Sequence, residues 1–146
     1  MALLSVAGCS RAEVDVEGAH ASGVRYLQDS YPDRVDAGTV VLEGGRIARG
    51  DSLYQGVVGR ANCIMCHGPA LRGGDDGTNL RDGDWHEIDG SYQSIRSIII
   101  TGLDKPDHIV MPPRGGTPLS DAGVDAIAAF VYWIAHQGER PAVGSQ

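Results

Sequence analysis

Lysine is nearly missing from this chain: Lys105 stands alone against eleven arginines in 146 residues, a bias that suggests a GC-rich genome and says nothing about function. Aromatic residues are also scarce, one Phe, two Trp and five Tyr, so a single domain of this length is short of apolar bulk for its core. Long apolar runs are absent. The best, Ile127 to Ala135, spans nine residues, about half of the ~20 that a membrane-crossing helix needs, and no transmembrane helix is expected. Positive charge is in deficit as well. The net charge of −7 excludes nucleic acid as a natural partner and favours a docking surface that is basic or mixed. Residues 51–146 carry 12 acidic and 7 basic side chains, so −5 of that charge falls in the larger, carboxy-terminal part. With three cysteines, Cys9, Cys63 and Cys66, the chain lacks the set for a four-cysteine zinc site. What it has in plenty is glycine, 21 residues, which with seven prolines implies many turns and short regular elements.

Two of the cysteines form the run Cys63-Ile64-Met65-Cys66-His67-Gly68. Cys-x-x-Cys-His is the spacing that attaches a haem through two thioethers and ligates its iron through the histidine. Two sulfurs three residues apart in one helical turn reach two vinyl-derived carbons of one porphyrin, and the next residue lies beneath the iron. A zinc half-site fits less well, because Cys9 lies 54 positions upstream of Cys63. A thioredoxin-like dithiol would sit at a helix start within alternating strands and helices, a pattern not found around this pair.

An electron-carrying haem iron needs a second axial ligand, and Met111 offers one. In Val110-Met111-Pro112-Pro113-Arg114 the prolines fix φ and remove donors, so an extended loop can present the thioether. A soft sulfur favours the reduced iron and raises its potential. His108, three residues earlier, is the rival ligand and stays open as one. Met65, between the cysteines, is expected to point away from the distal side and pack; His20, His86 and His136 are expected at the surface or at caps.

Along the chain, residues 10–49 are expected to form a tether or docking arm, with Thr39-Val40-Val41-Leu42 and the following Gly44-Gly45 suggesting a short strand and a glycine turn. Residues 50–137 are expected to form the haem domain and 138–146 a tail. Within the domain, Asp51 reads as the N-cap of a first helix carrying Leu53, Tyr54, Val57, Val58 and Ala61 toward the cysteines. A loop from Gly68 to Gly90 precedes a helix from Ser91 to Thr101 that stops at Gly102, with Ile95, Ile98 and Ile99 on one face. Ser120 caps a last helix, with Asp121 and Asp125 in its opening turns and Val124, Ile127, Val131 and Ile134 on one side.

On these motifs the chain resembles the class I c-type cytochromes of the short bacterial type. The attachment motif Cys63 to Gly68, the Met111-Pro112 loop and the helix around Ile127 to Val131 carry the likeness, over roughly residues 50–137. The resemblance implies an all-α fold around one covalently attached haem c, with His67 and Met111 as axial ligands. Gly77-Thr78-Asn79-Leu80 is similar to the family's Gly-Pro-Asn-Leu, which implies that the Thr78 carbonyl accepts the His67 Nδ1 proton and Leu80 packs on the haem; Thr stands where the family has Pro. Trp85 and Arg81 are placed by the same likeness near a propionate.

The amino end, Val6-Ala7-Gly8-Cys9, resembles a bacterial lipoprotein box, which implies acylation of Cys9 and attachment to a membrane on the periplasmic side. With eight residues before Cys9 and no basic segment, the true start is expected upstream; a free thiol is the plain alternative. The expected function is electron transfer between redox proteins, a dehydrogenase, oxidase or reductase, with no catalytic residues. A non-autonomous cytochrome subunit of such a complex is the second hypothesis, and a haem peroxidase or gas sensor with an open iron site the third.

Overall fold

The computed structural model describes residues 31–38, 40–106 and 110–136. Cys9, His20, His108 and the expected tail lie outside them. Among the described residues two short strands, β1 (Arg34–Asp36) and β2 (Val41–Glu43), lead into four helices: α1 (Gly44–Tyr54), α2 (Cys63–His67), α3 (Tyr92–Thr101) and α4 (Asp121–His136). A 3-10 turn over Pro113–Gly116 precedes α4. Four helices with so little strand agree with an all-α class.

The core is the crossing of α1 and α4. Ile47, Ala48, Asp51 and Tyr54 recur at helical spacing along the buried side of α1 and meet Val124, Ile127, Phe130, Val131 and Ile134 of α4. The helices touch at Gly50: a Cβ there would lie 2.7 Å from the Cβ of Phe130 and 2.6 Å from the carbonyl carbon of Ala126. The aromatic shortage is met by concentrating the rings present. Tyr54 tilts on Phe130 at 5.6 Å, and Tyr31 stands edge-on to Phe130 and Trp133 at 6.5 and 4.9 Å.

The first helix differs from expectation. It begins at Gly44 rather than after Asp51, and it ends at Tyr54, with Gly56 and Gly59 at φ +71° and +68° turning the chain toward α2. Asp51 is buried inside the helix, 2% exposed, and accepts a hydrogen bond from the Tyr31 hydroxyl at 2.7 Å. Val57, expected on its apolar face, is 75% exposed in the turn. The expected glycine turn at Gly44-Gly45 is likewise the start of the helix; β2 pairs backward, antiparallel to β1, in the register Arg34↔Glu43, Val35↔Leu42, Asp36↔Val41. Its turn lies upstream, where Gly38 at φ +79° donates to the Asp36 carboxylate. Tyr31, Val35, Ala37 and Leu42 belong to the core, so the described part of the expected arm packs on the domain.

The later helices follow the sequence reading closely. Ser91 caps α3 by accepting from the Ser94 amide at 3.2 Å, and Gly102 at φ +69° ends it. Ser120 caps α4 through the Gly123 amide at 3.2 Å. From Gly68 to Gly90 the chain is loop, with an isolated bridge between Gly74 and Gly77. Among the described residues no helix is long and apolar enough to cross a membrane.

Candidate functional site

The helix α2 is five residues long, and its shortness decides which side chains turn inward. At 100° per residue, positions 63 and 66 lie about 60° apart on one side while 65 points away from both. Cys63 and Cys66 are accordingly partly buried, whereas Met65 is 73% exposed and makes no core packing. Neither cysteine is in a disulfide. Burial, the largest effect, pushes the Cys63 thiol up to about 11, with the neighbouring Cys66 adding to it. A redox-active dithiol needs the opposite, a thiolate stabilised near neutrality.

His67 closes the helix, and its ring is held from the far side of a loop. Its Nδ1 lies 2.9 Å from the Thr78 carbonyl, which can only accept, so Nδ1 carries a proton and Nε2 is the ring nitrogen left to face a ligand. Reaching that distance needs loop 73–79 to lie flat on α2. Gly77 makes this possible, since a Cβ there would come within 2.6 Å of the Cys66 carbonyl carbon. Tyr54 fastens the other side, its hydroxyl donating to the Gly68 carbonyl at 2.8 Å.

Met111 is pinned by its backbone. Its amide donates to the Leu103 carbonyl at 2.9 Å and its carbonyl accepts from the Leu103 amide at 2.8 Å. Gly102 lies so close beneath that a Cβ would meet Pro113 N at 2.7 Å. Beyond the prolines, the Arg114 guanidinium donates to the Leu119 carbonyl at 2.7 Å and to Asp121 at 2.6 Å.

Between the two sides lies a cavity of about 820 Å³, walled by Cys63, Cys66, His67, Thr78, Leu80, Trp85 and Met111, with Ile95, Ile99, Ile127 and Val131 at its back. This is within the range of cofactor-sized cavities. Its rim is acidic: Asp75, Asp76, Asp84 and Glu87 border it, Glu87 in an ion pair with Lys105. Trp85 rests against Gly90, leaving no room for a Cβ there. Arg81 is not among the wall residues; its amide donates to the Asn79 side chain in a local turn. His86 is at the surface 3.6 Å from Asp84, and His136 stacks on Tyr132 at the end of α4. The residues present suit a covalently held haem: two cysteines on one turn, an imidazole and a thioether on the wall of the same apolar cavity, and a glycine cradle beneath the attachment turn.

Sequence reasoning missed Leu103, Gly77's contact with Cys66, Tyr54's bond to Gly68 and the Arg114 ties. Gly102 was legible as a helix stop, but no local signal marks the residue after it as the pairing partner of Met111. A family model described as cytochrome C oxidase, cbb3-type, subunit III matches residues 45–131. Neither the curated proteins nor the solved structures yield a match.

Proposed function

Because the chain belongs to the family of cytochrome C oxidase, cbb3-type, subunit III, and so is a c-type cytochrome with a covalently bound haem c, we propose that it passes single electrons between respiratory partners by outer-sphere transfer. The observation that carries this reading is the placement of Cys63, Cys66, His67 and Met111 on the walls of one apolar cavity. When bound, the haem supplies the Fe(III)/Fe(II) couple. Cys63 and Cys66 would hold it by thioethers, and His67 Nε2 and the Met111 sulfur would ligate its iron. The Thr78 carbonyl keeps the His67 proton on Nδ1 and the ring in one orientation, which strengthens its donation to a metal. Leu80 and Trp85 wall the cavity on the loop side and limit the entry of water, which raises a reduction potential by disfavouring the more highly charged state. With His67 and Met111 both committed to the metal, the site would offer a substrate nowhere to bind and would need no catalytic residues.

A second reading, a subunit that works only inside an oxidase, is favoured by the family's own description. The two part on native membranes: a haem-staining band that migrates solely with an oxidase supports the subunit, a freely released one the carrier. Attachment through an acylated Cys9 on the periplasmic side belongs to either reading.

The test is the optical spectrum of protein matured in a periplasm. The weak near-infrared band of iron(III)–methionine ligation is expected in the wild type and should vanish in Met111→Ala. A wild type without that band that binds carbon monoxide when reduced would replace the carrier by a peroxidase or gas sensor; one that does not bind it would move the ligand to His108.

A further inference from the structure

We infer that Arg114 is the positioning residue that keeps the Met111 loop closed over the cavity. The inference rests on the reading of Met111 as an axial ligand and concerns what holds it there.

Upstream, Met111 is fixed by the reciprocal bonds to Leu103. Downstream, the chain runs through Pro112 and Pro113 and then through three left-handed residues, Arg114 (φ 55°, ψ 30°), Gly115 (φ 64°, ψ 23°) and Gly116 (φ 70°). Glycine adopts this region freely, but an L-residue with a long side chain is strained in it. Arginine at the first of the three positions therefore needs a compensating contact, and its side chain makes two. The guanidinium forks across the amino end of α4, one nitrogen donating to the Leu119 carbonyl and another to the Asp121 carboxylate. Its own carbonyl accepts from the Thr117 hydroxyl at 3.0 Å. The Asp121 carboxyl is held below its ordinary range by this bond, the mark of a charge-assisted contact.

The anchor is firm. Ser120, between the two acceptors, caps the helix whose Val124, Ile127 and Phe130 form the core. The Met111 segment is thus clamped between the end of α3, where Gly102 underlies it, and the start of α4, where Arg114 fastens it. Without the guanidinium, the Leu103 side still holds, and Gly115 and Gly116 are left as a free hinge. A lysine cannot replace the fork, since one ammonium on a flexible stem does not span both acceptors.

The experiment uses the ferric holoprotein and imidazole, which binds the iron when methionine leaves. Its apparent affinity scales with the fraction of molecules whose loop is open. Arg114→Ala is expected to keep the near-infrared band without imidazole and to bind imidazole about tenfold more tightly, the factor given by 1.4 kcal/mol. Asp121→Asn, an exposed change that leaves the Leu119 bond, should give a smaller rise and serves if the alanine variant does not fold. Arg96→Ala removes the Arg96–Asp125 pair between α3 and α4, away from the loop, and should lower thermal stability with imidazole affinity unchanged. Wild-type imidazole affinity in both Arg114→Ala and Asp121→Asn would overturn the proposal, as would an equal rise in Arg96→Ala, which would make the effect one of general stability. A wild type without the near-infrared band would instead overturn the ligand assignment, and this proposal with it, before any variant is compared.

Discussion

Replacing one hydrogen of Gly50 by a methyl group should destabilise the protein more than any other glycine-to-alanine change in a helix. Taken alone, the substitution favours the helix by about 1 kcal/mol. Against that stands the position of the new carbon, 2.6 Å from the carbonyl carbon of Ala126 and 2.7 Å from the Cβ of Phe130, with the Ala126 carbonyl oxygen nearer still. None of these atoms lies at the end of a flexible side chain, so relief requires α1 and α4 to separate. Overpacking usually costs about 1–3 kcal/mol, and a backbone obstacle puts Gly50→Ala at the top of that range. The net loss is then about 2 kcal/mol, which for a folded unit of roughly 100 residues lowers the melting temperature by about 10 °C. Thermal unfolding of the holoprotein followed by far-ultraviolet circular dichroism reads this directly. Gly123→Ala is the internal comparison, because its new methyl would meet the Leu119 Cδ2 at 3.3 Å and the Ser120 Oγ at 3.5 Å, ends of side chains that can give way. It should be neutral or slightly stabilising. If Gly50→Ala melts within about 2 °C of the wild type, less than about 0.5 kcal/mol, the account of the helix crossing is refuted.

Two further outcomes follow from particular contacts. Tyr31→Phe removes the donor to the buried Asp51 and should lower stability by about 1–3 kcal/mol, read as a shift of the urea midpoint with unchanged slope; an unshifted midpoint would show that the hydroxyl contributes nothing. Asp89 is held at about 2 by hydrogen bonds from the Ser94 side chain first and then from Ser91. A carboxyl depressed in the folded state stabilises fully above its ordinary value of about 4 and loses that effect as pH falls toward about 2. Asp89→Asn should therefore melt below the wild type at pH 6, with the gap closing by pH 2; a constant gap across that span would contradict the assignment.

The contrast between α1 and α3 shows what a sequence can disclose. In α3, cap, apolar face and stop are encoded by neighbours: Ser91, Ile95 and Ile99, Gly102. In α1 the local signals oppose the outcome. Gly44 and Gly45 read as a turn and Asp51 as a cap, yet both glycines begin the helix, Gly50 is required by a helix 76 residues away and Asp51 is bonded by Tyr31. Contacts at that separation leave no periodic trace. The candidate site divides in the same way. The cysteines and His67 are adjacent in the chain, and their spacing alone announces them. The Leu103 bridge to Met111 and the Arg114 fork exist only once α3 and α4 are in place.

The helix crossing at Gly50 and Ala126 also sets an order of opening. It closes an excursion of 75 residues, 51 to 125, that contains Cys63, Cys66, His67, Thr78 and Met111. Closing so long a loop costs on the order of 4 kcal/mol in chain entropy, so the crossing forms or breaks as one event. Amides within α1 and α4 should exchange with solvent only through global unfolding, while those of the 68–90 loop exchange by local openings that leave the crossing intact. The neck of the excursion, rather than the cavity wall, thus determines whether the molecule is a chamber or an open chain.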